Sequence, residues 1–307
     1  MKVLFAVLLV AILGLTGYAA PARAALFRTY VSVNGNDANT CALTAPCLSM
    51  QTAINATTTG GIVSCLDGND YSSTPTTISN SITIDCTGTA ASAGPFTVTG
   101  AGIRVTIKNI TIFINGVPGI LFTEGAFLHV ENVQIYDMTI GIEITASGPV
   151  TGYPRFVIAN STLYHNGSSG EQGGILIKPS AAGFVMGEIS NTILNDNLYG
   201  VILDGNSGVT GINVSIVNSS IVNNTNDGVH DGSNSAGAFL LVDHSNVAHN
   251  GAVGINGAGT DSIIRVRASS ITGNTNGVSG NVFSVEDNVL AQNGSNGTMT
   301  ADPGDLQ

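Results

Sequence analysis

Glu143, Lys178, Asp204 and His230 are the ionisable residues whose spacing best suits acid–base chemistry. Each follows a recurring Gly within a short apolar segment, at a position where period-two alternation points the side chain outward. Glu143 and His230 share one outward column with Leu121, Leu176, Ile202, Asn256 and Ser279, while Lys178 and Asp204 lie two residues further on, beside Thr123 and Thr145. Two carboxylates can hydrolyse a glycosidic bond when they stand about 5.5 Å apart for retention, or about 6.5–9.5 Å for inversion. Glu143 and Asp204 are two repeats apart and offset along the strand, roughly 12 Å between backbones. Elimination fits the set better, with Lys178 or His230 abstracting a proton while a cation or another donor stabilises the enolate. The competing structural role for Lys178 and Asp204 is a surface ion pair of little energetic weight.

A second candidate is aromatic. Phe113, Tyr136 and Tyr164 take the same outward place in three consecutive repeats, directly after the inward Ile112, Ile135 and Leu163. An exposed ring column can stack on sugars and so bind carbohydrate; the alternative is a ladder that only stabilises the outside of the coil. The turns Asp67-Gly68-Asn69-Asp70 and Asp204-Gly205-Asn206 invite calcium, yet Asp, Gly and Asn are also plain turn residues. No metal site is expected, and none of these chemistries requires a cofactor.

The elements that must position these residues are repeats of one phrase: apolar strand, Asn-type corner, apolar strand, Asn or Gly, then Gly before Ile or Val. Anchored on its last residue, the phrase recurs at Asn115, Met138, Asn166, Asn197, Asn224, Asn250, Asn274 and Asn293, at intervals of 23, 28, 31, 27, 26, 24 and 19. Strand-built repeats of this length mark an all-β solenoid in which successive coils stack about 4.8 Å apart. Ile112, Ile135, Leu163, Leu194, Ile221, Val247, Ile271 and Leu290 form one inward column; Ile120, Ile142, Ile175, Val201, Val229, Ile255 and Val278 form another. Asn109, Asn132, Asn160, Asn191 and Asn218 line up at the sharp corner, where Asn tolerates the left-handed conformation and its amide can bond the next coil. Several sit in Asn-x-Ser/Thr sequons, but an amide committed to a ladder is a poor glycan acceptor.

Four parts follow. Residues 1–24, with Lys2, the apolar run Val3–Leu15 and Ala22-Arg23-Ala24, read as an export signal cleaved near Ala24, too short for a membrane span. Residues 25–104 hold the N-terminal cover and first coils, 105–297 the repeats, and 298–307 a polar tail. Spacing at 50, 53 and 54 within 46–56 predicts a short capping helix over the first coil. Cys41, Cys47, Cys65 and Cys86 suit two disulfides in a secreted or periplasmic protein. The 21-residue separation of Cys65 and Cys86 is about one coil, which predicts Cys65–Cys86 and leaves Cys41–Cys47. The whole chain carries 9 basic and 20 acidic residues; removing Lys2 and Arg23 leaves 7 against 20, or −13. Such a surface disfavours nucleic acid and anionic lipid. The open C-terminal end suits either its own thin cover or a second copy in a homo-oligomer.

Tyr30-Val31-Ser32-Val33-Asn34-Gly35-Asn36-Asp37, Pro46 to Ala56 and Gly60-Gly61-Ile62-Val63 resemble the opening of exported bacterial proteins of the pectin-lyase-like superfamily. The resemblance implies a right-handed parallel β-helix across nearly all of the mature chain. It also implies an active groove on the outer face of the strand that follows the recurring Gly. A polysaccharide or cell-surface glycan is the implied partner, and a lyase is favoured over a glycoside hydrolase. The chain has no Asp-Asp pair, and Gly228-Val229-His230-Asp231-Gly232 and Arg265-Val266-Arg267 depart from the Gly-His-Gly and Arg-Ile-Lys motifs of polygalacturonases. Longer connections at 146–153, 167–173, 180–183 and 205–211 are expected to wall the groove around Glu143 to His230. The alternative is a structural or attachment solenoid without activity.

Overall fold

A computed structural model of the chain describes residues 25–71, 75–114, 116–148, 152–180, 183–205, 211–234 and 237–302. The expected export signal and the anchor Asn115 lie outside the described residues, as do parts of three of the four longer connections. One coil shows the plan. Arg155–Ala159 leads to the corner at Asn160, Thr162–Tyr164 follows, His165 and Asn166 turn the chain again, and Gly173–Ile177 closes the coil. A longer connection then rises to Phe184–Ser190 in the next coil. β-Branched residues alternating with small polar ones, in runs too short for a helix, favour this pleated form.

Each strand pairs in parallel with its counterpart one coil away. Among the described residues this gives three sheets of 12, 8 and 9 strands, called first, second and third in the order a coil visits them. The fold is a right-handed parallel β-helix with one short helix near its N-terminus. Both predicted inward columns are buried, apart from Leu290 at the last coil, which is partly exposed. Among the described residues no helix is long and apolar enough to cross a membrane.

The predicted helix is Met50–Ala56, shorter than the 46–56 segment. Asp37 accounts for the difference, because its Oδ1 accepts the Leu48 and Ser49 N–H groups at 3.0 and 2.8 Å and holds the entry extended. Ser49 caps the helix, and Met50, Ala53 and Ile54 are buried over the first coil. Both disulfides pair as predicted, Cys41–Cys47 and Cys65–Cys86. Ser64 is in register with Asp85, which stacks the second pair across adjacent coils. At the other end Thr300–Ala301 pairs with Phe283 and Ser284, so the tail segment adds a strand to the first sheet and is more than a polar cover.

Asn109, Asn132, Asn160, Asn191 and Asn218 all adopt the left-handed corner, followed by His244, Ala268 and Asp287. The continuous amide ladder, however, runs at the next corner. Asn166, Asn197, Asn224, Asn250 and Asn274 are buried, and each donates its Nδ2 to the Oδ1 of the next member at 2.8–3.1 Å, ending on Asn293. At the first corner Asn132 bonds Asn109 at 2.7 Å, but these side chains meet solvent. The physical reason is position: the residue after the second left-handed residue points inward, where no water can satisfy its amide. The ladder thereby fixes how the second and third sheets meet.

Candidate functional site

Two outer faces hold the predicted site residues. On the second sheet Tyr136 pairs in register with Phe113 and with Tyr164. Their rings stack at 5.3 Å with planes 4° apart, then at 4.9 Å and 20°. All three are half-exposed. Burial raises the Tyr164 hydroxyl above its ordinary range, and Tyr136 and Asp137 add to the effect. The next coil replaces the ring with Asn195, which ends the ladder. Beside it Asp137 and His165 pair at 2.5 Å, and that hydrogen bond is the main reason the imidazole is raised. A shallow groove of about 360 Å³ lies between the ladder and the following connection, lined by Phe113, Asp137, Thr139, His165 and Ser168.

The third sheet brings Glu143, Leu176, Ile202, His230, Asn256 and Ser279 into one outward column, as predicted. It does not leave that column open. Leu176 and Ile202 are only 4% and 2% exposed, and they form an external apolar cluster with Ile140 against which Tyr199 packs. Lys178 reaches Asp204 at 2.6 Å and Glu171 at 3.2 Å, tying the 167–172 connection to the sheet. Asp204 is 5% exposed, so it lies beneath the outer surface it was expected to occupy. The bond to Asp204 is the largest influence holding the Lys178 ammonium protonated, so both partners are committed to one another. Glu143 stands apart; burial raises its carboxyl, partly offset by Lys178.

His230 lies on the far side of the apolar cluster. It is three coils from Glu143, roughly 14 Å between backbones. Its Nδ1 donates to Asp227 Oδ2 at 2.8 Å, and the Tyr199 ring approaches edge-on with centroids 5.6 Å apart. Asn256 Nδ2 and the Val253 N–H both donate to Asp227 at 2.9 Å. Burial alone would raise Asp227, but the His230, Asn256 and Val253 hydrogen bonds outweigh it and hold the carboxyl below its ordinary range. The Asp227 bond in turn raises the imidazole, against desolvation, with Asp231 and Glu171 contributing at longer range. Asp227 was missed in the sequence; the available signal was an acid three residues before a histidine, across the recurring Gly. Asp231 points inward, in line with Leu203, and burial pushes its carboxyl up.

The first acidic turn is bonded to the N-terminal segment, and Asn206 of the second lies outside the described residues. Asp67 accepts from Ser32 Oγ at 2.6 Å, from the Val33 N–H and from the Tyr71 hydroxyl. Among the described residues no group of three or more His, Cys, Asp or Glu side chains is placed to hold a metal ion.

No protein-family model matches the sequence, and no curated protein matches it. Solved structures do match in shape. A rhamnogalacturonan lyase superposes with a TM-score of 0.60 at 13% identity, over 80% of this chain and 74% of that one. A pectate lyase gives 0.57 at 16% identity, over 85% and 79%. A lacto-N-biosidase from Eubacterium ramulus gives 0.50 at 12% identity, over 85% and 58%. These likenesses establish the fold as a parallel β-helix of the pectin-lyase-like type.

Proposed function

We propose that this chain is an exported polysaccharide-binding protein whose ligand lies along the Phe113–Tyr136–Tyr164 ladder. One observation carries the proposal: three rings stacked in register, half-exposed, beside an open groove. Rings that served only to cover the coil would themselves be covered, as Leu176 and Ile202 are on the neighbouring face. Two disulfides suit an oxidising compartment outside the cytoplasm. The solved structures of like fold include enzymes named for rhamnogalacturonan and pectate, which favours a glycan ligand. A glycan array on the wild type and Tyr136→Ala tests this. A tenfold loss of affinity, about 1.4 kcal/mol, is expected; unchanged binding would place the platform elsewhere.

The Asp227–His230 pair favours a second reading, β-elimination. In it His230 Nε2 accepts the proton α to the uronate carboxylate, the β C–O glycosidic bond breaks to leave a C=C bond, and the departing oxygen leaves as an alcohol after taking a proton from water. Asp227 orients the ring and stabilises the imidazolium. Lys178 then acts through its bonds to Asp204 and Glu171 as the clamp that holds the 167–172 connection. Hydrolysis by Glu143 and Asp204 is the poorest fit, because their backbones stand roughly 12 Å apart and Asp204 is held by Lys178. The proposal requires no cofactor and gives calcium no role. Release of unsaturated uronide by wild type, and its loss in His230→Ala with glycan binding intact, would establish the elimination; binding without product leaves a recognition protein.

A further inference from the structure

Six of the seven basic residues among the described residues stand on the first sheet: Arg28, Arg104, Lys108, Arg155, Arg265 and Arg267. Three of them are neutralised locally, Lys108 by Asp85 at 3.2 Å, Arg265 by Asp302 at 2.8 Å and Arg267 by Asp243 at 2.5 Å. Arg104 and Arg155 are exposed and have no carboxylate partner among the described residues. They hold aromatic rings instead. Arg104 lies 4.7 Å from the centre of Phe127, and Arg155 lies 5.1 Å from the centre of Tyr153 while donating from Nη2 to its hydroxyl at 3.3 Å. Phe127 pairs in register with both Arg104 and Arg155, so guanidinium, ring and guanidinium follow one another over three coils. Tyr153 is steadied edge-on by Phe184 at 5.0 Å.

From this cluster a shallow groove of about 460 Å³ runs past Met186 to Asn213. One acid, Glu188, sits on its rim in the next outward column, beside Val157. A cation–π contact alone would explain one arginine on each ring. It does not explain why a strongly acidic chain leaves both forks unneutralised, Arg155 on the groove wall and Arg104 on the Phe127 ring that lines it. Planar guanidinium forks match carboxylates bidentately, and the rings between them offer flat apolar faces of the kind that pack on a sugar.

We propose that this face is a second glycan site, specific for a uronate-bearing oligosaccharide, with Arg104 and Arg155 taking its carboxylates and Phe127 and Tyr153 its ring faces. It is separate from the second-sheet ladder and from His230, and it stands whether or not either of those binds glycan. The bulk acidity of the surface repels polyanions, so this is where an acidic sugar chain meets the least repulsion.

Titration calorimetry on the full exported chain tests it, with a galacturonate tetrasaccharide, a neutral glucan oligosaccharide and poly-glutamate as probes. The wild type should bind the uronate, more weakly as salt rises, and should prefer it to both other probes. Arg104→Gln with Arg155→Gln should weaken it at least tenfold, and Lys at both positions should restore the salt dependence without the affinity. Should the double variant unfold by circular dichroism, Arg155→Gln alone, which leaves the Arg104–Phe127 stack, carries the same expectation. No uronate binding by wild type, or binding unchanged in the Gln variants, overturns the proposal. Equal affinity for poly-glutamate overturns it too, by showing a surface that reads charge and not sugar. So does uronate binding lost in Tyr136→Ala and kept in the Gln variants, which would assign the ligand to the ladder.

Discussion

The second and third sheets share every middle coil and are joined by one corner, yet they treat their outer faces in opposite ways. On the second sheet Phe113, Tyr136 and Tyr164 stay half-exposed; on the third Leu176 and Ile202 are covered, and the nearby charges are paired. What packs on each face explains the difference: Ile140 and the Tyr199 ring lie against Leu176 and Ile202. The second sheet is entered through a two-residue corner, as between Ala159 and Thr162, and its rings stack on one another. The third can be entered through a longer segment, 165–172, which returns to the sheet and is pinned by the Glu171–Lys178 bond. An outward position in a coil is therefore a surface only where no neighbouring side chain packs on it.

The largest effect should come from the corner itself. Asn224→Ala removes one member of the buried ladder and leaves neighbouring donors and acceptors unpaired, on the order of 3 kcal/mol. A lowered urea midpoint is expected, with faster hydrogen exchange on both sheets; loosening of one sheet alone would mean that the faces are not held together by this column. Leu176→Ala should cost about 2 kcal/mol or more, because an outward residue buried like a core residue leaves a cavity. Tyr136→Ala should cost less than about 1.5 kcal/mol while impairing glycan binding. Equal stability losses in matched unfolding curves would erase the contrast between covered and open faces.

Lys178→Met should cost about 1–2 kcal/mol, reduced from a fully buried pair because Lys178 is itself 40% exposed. It should also push the Glu143 carboxyl further up by removing the cation that lowers it, which a carbon-detected NMR titration reads. The smallest effect is pH-dependent. His230 is raised in the fold above its ordinary 6.5, so the stability it contributes is complete below 6.5 and disappears as pH rises through the folded value. The stability gap between wild type and His230→Gln should shrink across that interval, and the imidazole should titrate above 6.5 by proton NMR. A midpoint at or below 6.5 would contradict the Asp227 pairing.

Much of the architecture was legible because each inward column repeats one chemistry: Ile112 through Ile271, or Ile120 through Val278, can only face a dry core. The disulfides followed from the same periodicity. The sharp corners were also legible, but the ladder was placed on Asn160 and its equivalents when it belongs to Asn166 and its equivalents. Both columns are asparagine, and only the backbone decides which one faces inward. The outside was harder to read. Alternation gives the direction of Leu176 and Ile202 but cannot say that the chain folds back over them, and it places Lys178 beside Asp204 without showing Glu171. Asp227 and the Arg104–Phe127–Arg155 column are hidden for a related reason: Asp227 sits in a corner outside the strand alternation, and the arginines fall in first-sheet strands that precede the Asn corner and belong to neither inward column.

The close fit between glycine and amide at the second corner has a consequence for how such a chain can change. A side chain at Gly200 would clash with the Gly228 carbonyl oxygen and stand 3.1 Å from the Asn224 amide nitrogen, and one at Gly228 would stand 2.7 Å from that of Asn250. Each floor thus depends on the glycine and asparagine of its neighbour, and neither residue can drift alone. Insertion or loss of an entire floor breaks no such dependence. The width of this molecule is fixed, while its length, and with it the span of ligand it can lie along, is free to vary in steps of one coil.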